Sequence, residues 1–224
     1  AAIQLSGSLT LAQRQTYNAL LKNAFPWLER GEDHWVQVKD LERILHKHGS
    51  RNRAWLIDTA ESLRDVAVRY NVLGKDRENS ETWEMNSGLL AEIGVKSNRE
   101  LIKYSFPNTL VDLLSNPAMY AKINLDFQAR FRGHYGLPLY EFYLDILGGK
   151  RSTVEYTFWI EDLRRLLCLE GKHTQFKHLS NKVIKPAHRE ICEHTDINVE
   201  IAEQLRENRN VVALKLQIER TGLS

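Results

Sequence analysis

KHTQFKHLSNKVIKPAHREICEHT, residues 172–195, is the stretch whose reading decides the fold. Its apolar side chains fall at Phe176, Leu179, Val183, Ala187 and Ile191, three and four apart, which is one stripe of an amphipathic helix. The opposite face carries Lys177, Ser180, Asn181, Lys182, Lys185 and Arg189. Residues 172–189 contain no acid, although the whole chain is nearly neutral, with 31 Lys and Arg against 29 Asp and Glu. A solvated surface helix has such a face, and so has a helix that lies in a DNA groove. Lys and Arg displace counterions from phosphates, and Asn, Ser and Arg offer partners to base edges. Near the front of the helix, Asn181 suits an adenine edge and Lys182 or Lys185 a guanine, with Lys177 beside them. Arg189 lies further along and suits phosphate. Pro186 forfeits a backbone hydrogen bond and is expected to bend the helix.

Working outward, residues 126–147 read as one long helix kinked by Gly133, Gly136 and Pro138, and ended by Gly148 and Gly149. Val154, Tyr156 and Phe158 alternate as a strand, and 159–169 is a helix built on Leu163, Leu166, Leu167 and Leu169. A turn at Gly171 leads to the basic helix. Beyond it, Ile197, Val199 and Ile201 pair as a hairpin with 211–218, and 206–209 form a polar, basic tip. The order is helix, strand, helix, helix, hairpin.

The first half gives the same order. Residues 9–25 read as a helix capped by Ser8 or Thr10 and ended by Pro26. Residues 34–39 suit a short strand. Asp40 is expected to cap a helix over 41–48, and 50–63 is a second helix. Strands follow at 66–72, with one face buried, at 83–95 and at 100–106, with a loop at 74–81. A short helix over 109–114 closes the half before Asn116 and Pro117. The expected fold is therefore α+β, two winged helices in tandem, residues 1–121 and 122–224, joined near 119–125.

Composition narrows the class. The chain has 224 residues, 42% hydrophobic and 27% charged, which is ordinary for globular domains. No apolar run approaches the roughly 20 residues that span a membrane. The opening AAIQLSGSLT lacks the pattern of a secretory signal. Cys168 and Cys192 are the only cysteines, too few for a disulfide framework, so a reducing cytosol is expected. No phosphate-binding glycine loop is present. His46-Lys47-His48 differs from a metal-binding histidine pair in having Lys at its centre, at a helix end. Cys168, His173, His188 and Cys192 have the types for zinc, but the two thiols fall among apolar residues and are expected to be buried. No enzyme activity, metal or cofactor is expected.

The second half resembles the initiator proteins of iteron-carrying bacterial plasmids. The resemblance rests on Asn124-Leu125, Phe131 and Tyr135-x-Leu137-x-Leu139-Tyr140-Glu141. It continues through Phe176-x-x-Leu179-x-x-x-Val183-Ile184-x-Pro186-Ala187-x-x-Glu190-Ile191, then Thr195 and the closing hairpin. A weaker match lies in the first half, at Leu11-x-Gln13-Arg14 and Phe106-Pro107. The resemblance implies two winged helices, the second making the main repeat contacts through a major-groove helix. The first would serve dimerisation or auxiliary DNA contacts. It further implies that monomers bind direct repeats at an origin, that dimers bind an inverted repeat and repress their own synthesis, and that the host helicase and its loader are partners. Two departures stand out: Ser180-Asn181-Lys182 replaces a run that is often richer in Arg, and His188 stands where an aliphatic residue is frequent.

The expected function is thus double-stranded DNA binding at direct repeats, with origin opening. A dimeric transcriptional repressor and a winged-helix protein-interaction module are the alternatives. Arg130, Arg132, Lys150, Arg151, Arg206 and Arg209 are expected to hold phosphates around the reading helix. Self-association is expected in the first half, through a strand edge at 66–72 or 83–95.

Overall fold

The computed structural model describes residues 3–5, 9–46, 50–72, 83–114, 124–148 and 152–221. The chain forms two compact units, Ala1–Tyr120 and Ala121–Ser224. Both are α+β and both are winged helices.

In the first unit, α1 (Leu11–Ala24) starts at a capping box: the Thr10 hydroxyl accepts from the Gln13 N–H, and the Gln13 side chain accepts from the Thr10 N–H. Pro26 does not end the chain's helical course. It sits in the first turn of a 3-10 segment, Phe25–Arg30, where a missing N–H is harmless. Next come β2 (His34–Gln37), α2 (Val38–Ile44) and α3 (Ser50–Ser62). Helix α2 begins at Val38, so Asp40 lies inside its first turn and is not its cap. The wing is β5 (Glu92–Val95) with β6 (Leu101–Ser105), followed by α4 (Asn108–Leu114). An additional sheet unites β1 (Ile3–Leu5), β3 (Ala67–Val72) and β4 (Trp83–Gly88). The segments 47–49, 74–81 and 115–123 read from sequence lie outside the described residues.

The span 83–95 is therefore two strands in two sheets. Leu89 and Leu90 are both buried, which a strand cannot do with neighbours on one face. The chain leaves the first sheet at Gly88 and joins the second at Ala91, whose N–H donates to the Ser105 carbonyl at 2.9 Å. Strand β3 pairs on both sides, with β1 and β4, so 66–72 offers no free edge. The core of this unit centres on Tyr104. Its hydroxyl donates to the Leu20 carbonyl at 2.7 Å and accepts from Asn23 Nδ2 at 2.8 Å, while His34 and Phe106 pack against its ring and Tyr17 packs on Phe106.

The second unit runs α5 (Leu125–Gln128), α6 (Gly136–Leu147), β7 (Thr153–Trp159), α7 (Ile160–Leu166), then the continuous helix α8 over 176–194, β8 (Ile197–Glu207) and β9 (Asn210–Arg220). Residues 126–147 are not one kinked helix. Helix α5 stops at Gln128, and an irregular turn bearing the buried Phe131 precedes α6. Pro138 lies in the first turn of α6, where it is tolerated. The sheet orders of the two units correspond: β2-β6-β5 in the first, β7-β9-β8 in the second, all antiparallel. In each, the strand before the helix pair hydrogen-bonds to the far strand of the wing. The order read from sequence thus becomes one topology used twice, with β1, β3 and β4 added to the first copy.

Gly88 and Gly94 test this architecture. A Cβ on Gly88 would stand 2.7 Å from the Arg64 carbonyl oxygen and 2.9 Å from that of Leu90, whereas nothing lies within 4 Å of one on Gly94. We expect Gly88→Ala to lower unfolding stability by about 1–3 kcal/mol. Gly94→Ala is expected to change it by less than about 0.5 kcal/mol, both read by urea unfolding.

Candidate nucleic-acid interface

Helix α8 is the second helix of the helix pair in its unit, the position from which winged helices present a helix to a ligand. It is regular over Phe176–Leu179, widens to a π-turn over Ser180–Ile184, and is regular again over Lys185–His194. The Lys185 N–H donates to the Ser180 carbonyl five residues back. In an ordinary helix the Pro186 ring would press on the Lys182 carbonyl. The wider turn placed directly before Pro186 relieves that pressure, so the proline is absorbed by a π-turn.

The buried side of α8 is broader than one stripe. Leu179, Val183, Ala187 and Ile191 form one column, and Ser180, Ile184 and His188 form a second beside it. Ser180, read from sequence as part of the DNA face, is buried at 8% exposure and is not on that surface. Lys177, Asn181, Lys182, Lys185 and Arg189 are all exposed. None of the four cations among them forms an ion pair with another described residue. Helix α3 of the first unit differs. Its Arg53 makes a two-pronged contact to Glu42 at 3.2 and 3.3 Å, and its Asp58 faces Arg99 at 3.5 Å.

Three sets of contacts fix α8, and sequence reading anticipated none of them. The first is at its approach. The turn 167–175 has positive φ at Cys168, Gly171 and His173. Arg164 of α7 gathers that turn: Nη1 donates to the Lys172 carbonyl at 2.8 Å, and Nη2 to those of His173 and Thr174 at 2.6 and 3.2 Å. The second is in the interior, where the Tyr143 hydroxyl of α6 and His188 Nε2 share a 2.7 Å hydrogen bond. Burial pushes the His188 imidazole down to about pKa 4 and raises the Tyr143 phenol, so both are neutral. The third is at the exit. The Thr195 hydroxyl donates to the Ile191 carbonyl at 2.8 Å and accepts from the Ile197 N–H at 3.1 Å, turning the chain into β8.

The remaining sequence-selected cations stand around α8 or on its unit. Arg130 and Arg132 are exposed on the turn between α5 and α6, with the Arg130 guanidinium 5.7 Å from the Phe127 ring centre. Two backbone N–H groups of that turn, those of Arg132 and Gly133, donate to Glu190 Oε1 of α8, the latter at 2.8 Å. Arg206 and Arg209 are exposed at the wing tip, where Asn208 and Arg209, both at positive φ, make a two-residue hairpin turn. Lys150 and Arg151 lie outside the described residues. Cys192 is exposed and Cys168 half-buried, which corrects the expectation that both thiols are buried. Among the described residues, no three His, Cys, Asp or Glu side chains converge as a ligand set. No described helix is long and apolar enough to cross a membrane.

These features define a tandem winged-helix protein whose second unit presents a basic helix with no ion pair to the described residues. Residues 1–144 match the family described as "Initiator Replication protein, WH1", and residues 160–218 match "Initiator Rep protein, WH2". The chain belongs to this family of replication initiators. No curated protein sequence matches it. Among solved structures it is similar to the Pi initiator protein in complex with iteron DNA, with a TM-score of 0.69 at 17% identity, covering 98% of this chain and 97% of that one. It is also similar to domains 2 and 3 of RctB, with a TM-score of 0.60 at 12% identity, covering 97% and 85%.

The neutral His188 sets an expected pH dependence. Between about pH 4 and 6.5 the unfolded chain binds a proton that the folded chain refuses. Stability from this site is therefore full above pH 6.5 and falls as pH drops toward 4, by about 3 kcal/mol in total. Urea unfolding at pH 7.5 and 4.5 should show a smaller loss for His188→Gln than for the wild type, since carboxylate titration is common to both.

Proposed function

We propose that this protein binds double-stranded DNA at tandem direct repeats and initiates replication there. The observation that carries this reading is the exposed row Lys177, Asn181, Lys182, Lys185 and Arg189, acid-free and without ion pairs to described residues, on the second helix of a winged-helix unit. A cation already paired with a carboxylate has less to offer a phosphate. These four have no carboxylate partner among the described residues, which leaves them open to release counterions from DNA. Asn181 brings both a donor and an acceptor to an adenine edge, and Lys182 and Lys185 bring donors to guanine. Arg130, Arg132, Arg206 and Arg209 would hold phosphates on either side. The Pi initiator protein, similar over nearly the whole chain, has been crystallised with iteron DNA, which supports the same ligand class here.

In this reading the second unit recognises the repeat and the first supplies self-association or auxiliary DNA contact. The protein is not an enzyme. It works by binding and strain: several copies on adjacent repeats bend the origin and favour opening of a neighbouring A·T-rich segment. The host helicase and its loader act next, in the bacterial cytoplasm. A dimer on an inverted repeat would repress the protein's own promoter.

Selection of duplexes from a random-sequence pool, followed by binding to single-base variants at two salt concentrations, tests the assignment. Asn181→Ala and Lys182→Ala should each cost about 1–3 kcal/mol and relax preference at one position of the repeat. Arg206→Ala and Arg209→Ala should weaken all sequences alike and lower the salt slope by about one unit each. Unchanged base preference in both Asn181→Ala and Lys182→Ala would remove α8 from the role of reader.

A further inference from the structure

Glu190 is the first acidic residue after the basic run, and it stands on the helix that is proposed to meet DNA. A carboxylate there repels phosphate, so its presence calls for a reason. Its Oε1 accepts the backbone N–H groups of both Arg132 and Gly133, from a turn 57 and 58 residues earlier in the chain. Its Oε2 occupies space that a side chain would need. A Cβ on Gly133 would lie 2.9 Å from Oε2, and one on Gly136 would lie 2.5 Å from Oε2 and 2.7 Å from Phe131 Cδ1. The two glycines are thus the clearance that lets the turn sit on this carboxylate. Phe131, buried just before them in sequence, packs 5.7 Å from the Tyr140 ring and 6.4 Å from His194, one turn beyond Glu190 on α8.

We propose that Glu190 is a positioning residue for DNA binding: its carboxylate clamps the 130–133 turn to the reading helix, so that Arg130 and Arg132 are held as phosphate contacts in fixed register with Asn181, Lys182 and Lys185. The inference rests on the DNA-binding reading of α8 and adds to it. The negative charge is neutralised locally, because two N–H dipoles converge on one oxygen, and charge-assisted hydrogen bonds of this kind are about twice as strong as neutral ones. Flanking cations on an untethered turn would have to be ordered at each encounter. On the clamped turn, ordering precedes binding.

The test uses the full chain and a duplex selected by the wild-type protein from a random-sequence pool, with affinity measured across a salt series. Glu190→Ala should lower affinity about tenfold and reduce the slope of log affinity on log salt by about one to two units, as the Arg130 and Arg132 contacts are lost. Glu190→Gln removes the same charge but keeps an acceptor oxygen at the Oε1 position, and should restore the wild-type slope. Gly133→Ala, which changes no residue of α8 but crowds the Glu190 carboxylate off the turn, should reproduce the slope of Glu190→Ala. Base preference should be unchanged in all three. A role confined to folding would lower thermal stability and leave the slope of the folded fraction at the wild-type value, and that result overturns the proposal. So does an equal loss in Glu190→Gln and Glu190→Ala, which would assign the effect to charge. Failure of the underlying reading looks different: the wild type selects no duplex, or Asn181→Ala and Lys182→Ala select the wild-type duplex unchanged.

Discussion

A proline inside α8 constrains the whole second unit. Pro186 can neither donate a backbone hydrogen bond nor tolerate the Lys182 carbonyl at ordinary helical distance. The chain answers with a π-turn closed by the Lys185 N–H on the Ser180 carbonyl. Ser180, Ile184 and His188 lie beside the Leu179, Val183 and Ala187 column, so the buried face is a band and not a single stripe. The cations of 177–189 are gathered onto what remains.

A band that wide brings polar groups inside, and each needs a partner. His188 has Tyr143, and both are neutral because burial disfavours the charged forms. Ser180 supplies its carbonyl to the π-turn. Arg164 spends its guanidinium on three carbonyls of the preceding turn, so a residue that composition would count as surface charge is structural. The two units use one topology with opposite electrostatic settings. In the first, Arg53 and Arg99 are tied to Glu42 and Asp58 at or near α3. The exposed Arg99–Asp58 pair adds little stability, about 0–1 kcal/mol, but both pairs lower the net field of the helix. In the second, the cations of the corresponding helix form no ion pair with described residues. The electrostatic difference follows from pairing, since the fold is shared.

The topology was legible because hydrophobic period and turn residues mark helices and strands locally. Alternation at Val154, Tyr156 and Phe158, the 3-4 spacing from Phe176 to Ile191, and the repeated order in both halves carried it. What was not legible depended on contacts distant in sequence. Residues 126–147 have the apolar content of one helix, but the turn at 129–135 that divides it meets the carboxylate of Glu190, more than fifty residues on. The segment 83–95 has the content of one strand, but Leu89 and Leu90 both enter the core and split it between sheets. Strand 66–72 has the alternation of an edge strand, yet pairs on both sides because β1 arrives from the N-terminus. Ser180 is misread by its polar side chain: it lies four residues before Ile184 on the buried band, where helical spacing outweighs polarity. The exposed members of the candidate site, Lys177, Asn181, Lys182, Lys185 and Arg189, lie outside that error: they stand on the far side of the helix, where a shift of one column does not reach the core.

The anchoring of α8 also bears on how recognition can be specific. A helix free to roll or slide would sample several registers against a row of bases, and each register would present a different set from Lys177, Asn181, Lys182 and Lys185. Rolling is opposed by the His188–Tyr143 bond inside the core, sliding by Arg164 at the entry and Thr195 at the exit. These contacts lie on the buried side or at the ends, so none competes with the exposed row for a ligand. Rigidity and readout are thereby assigned to different residues of one helix. Discrimination between bases depends on polar groups held where only one pattern satisfies them, and a helix pinned at three points meets that condition before DNA arrives.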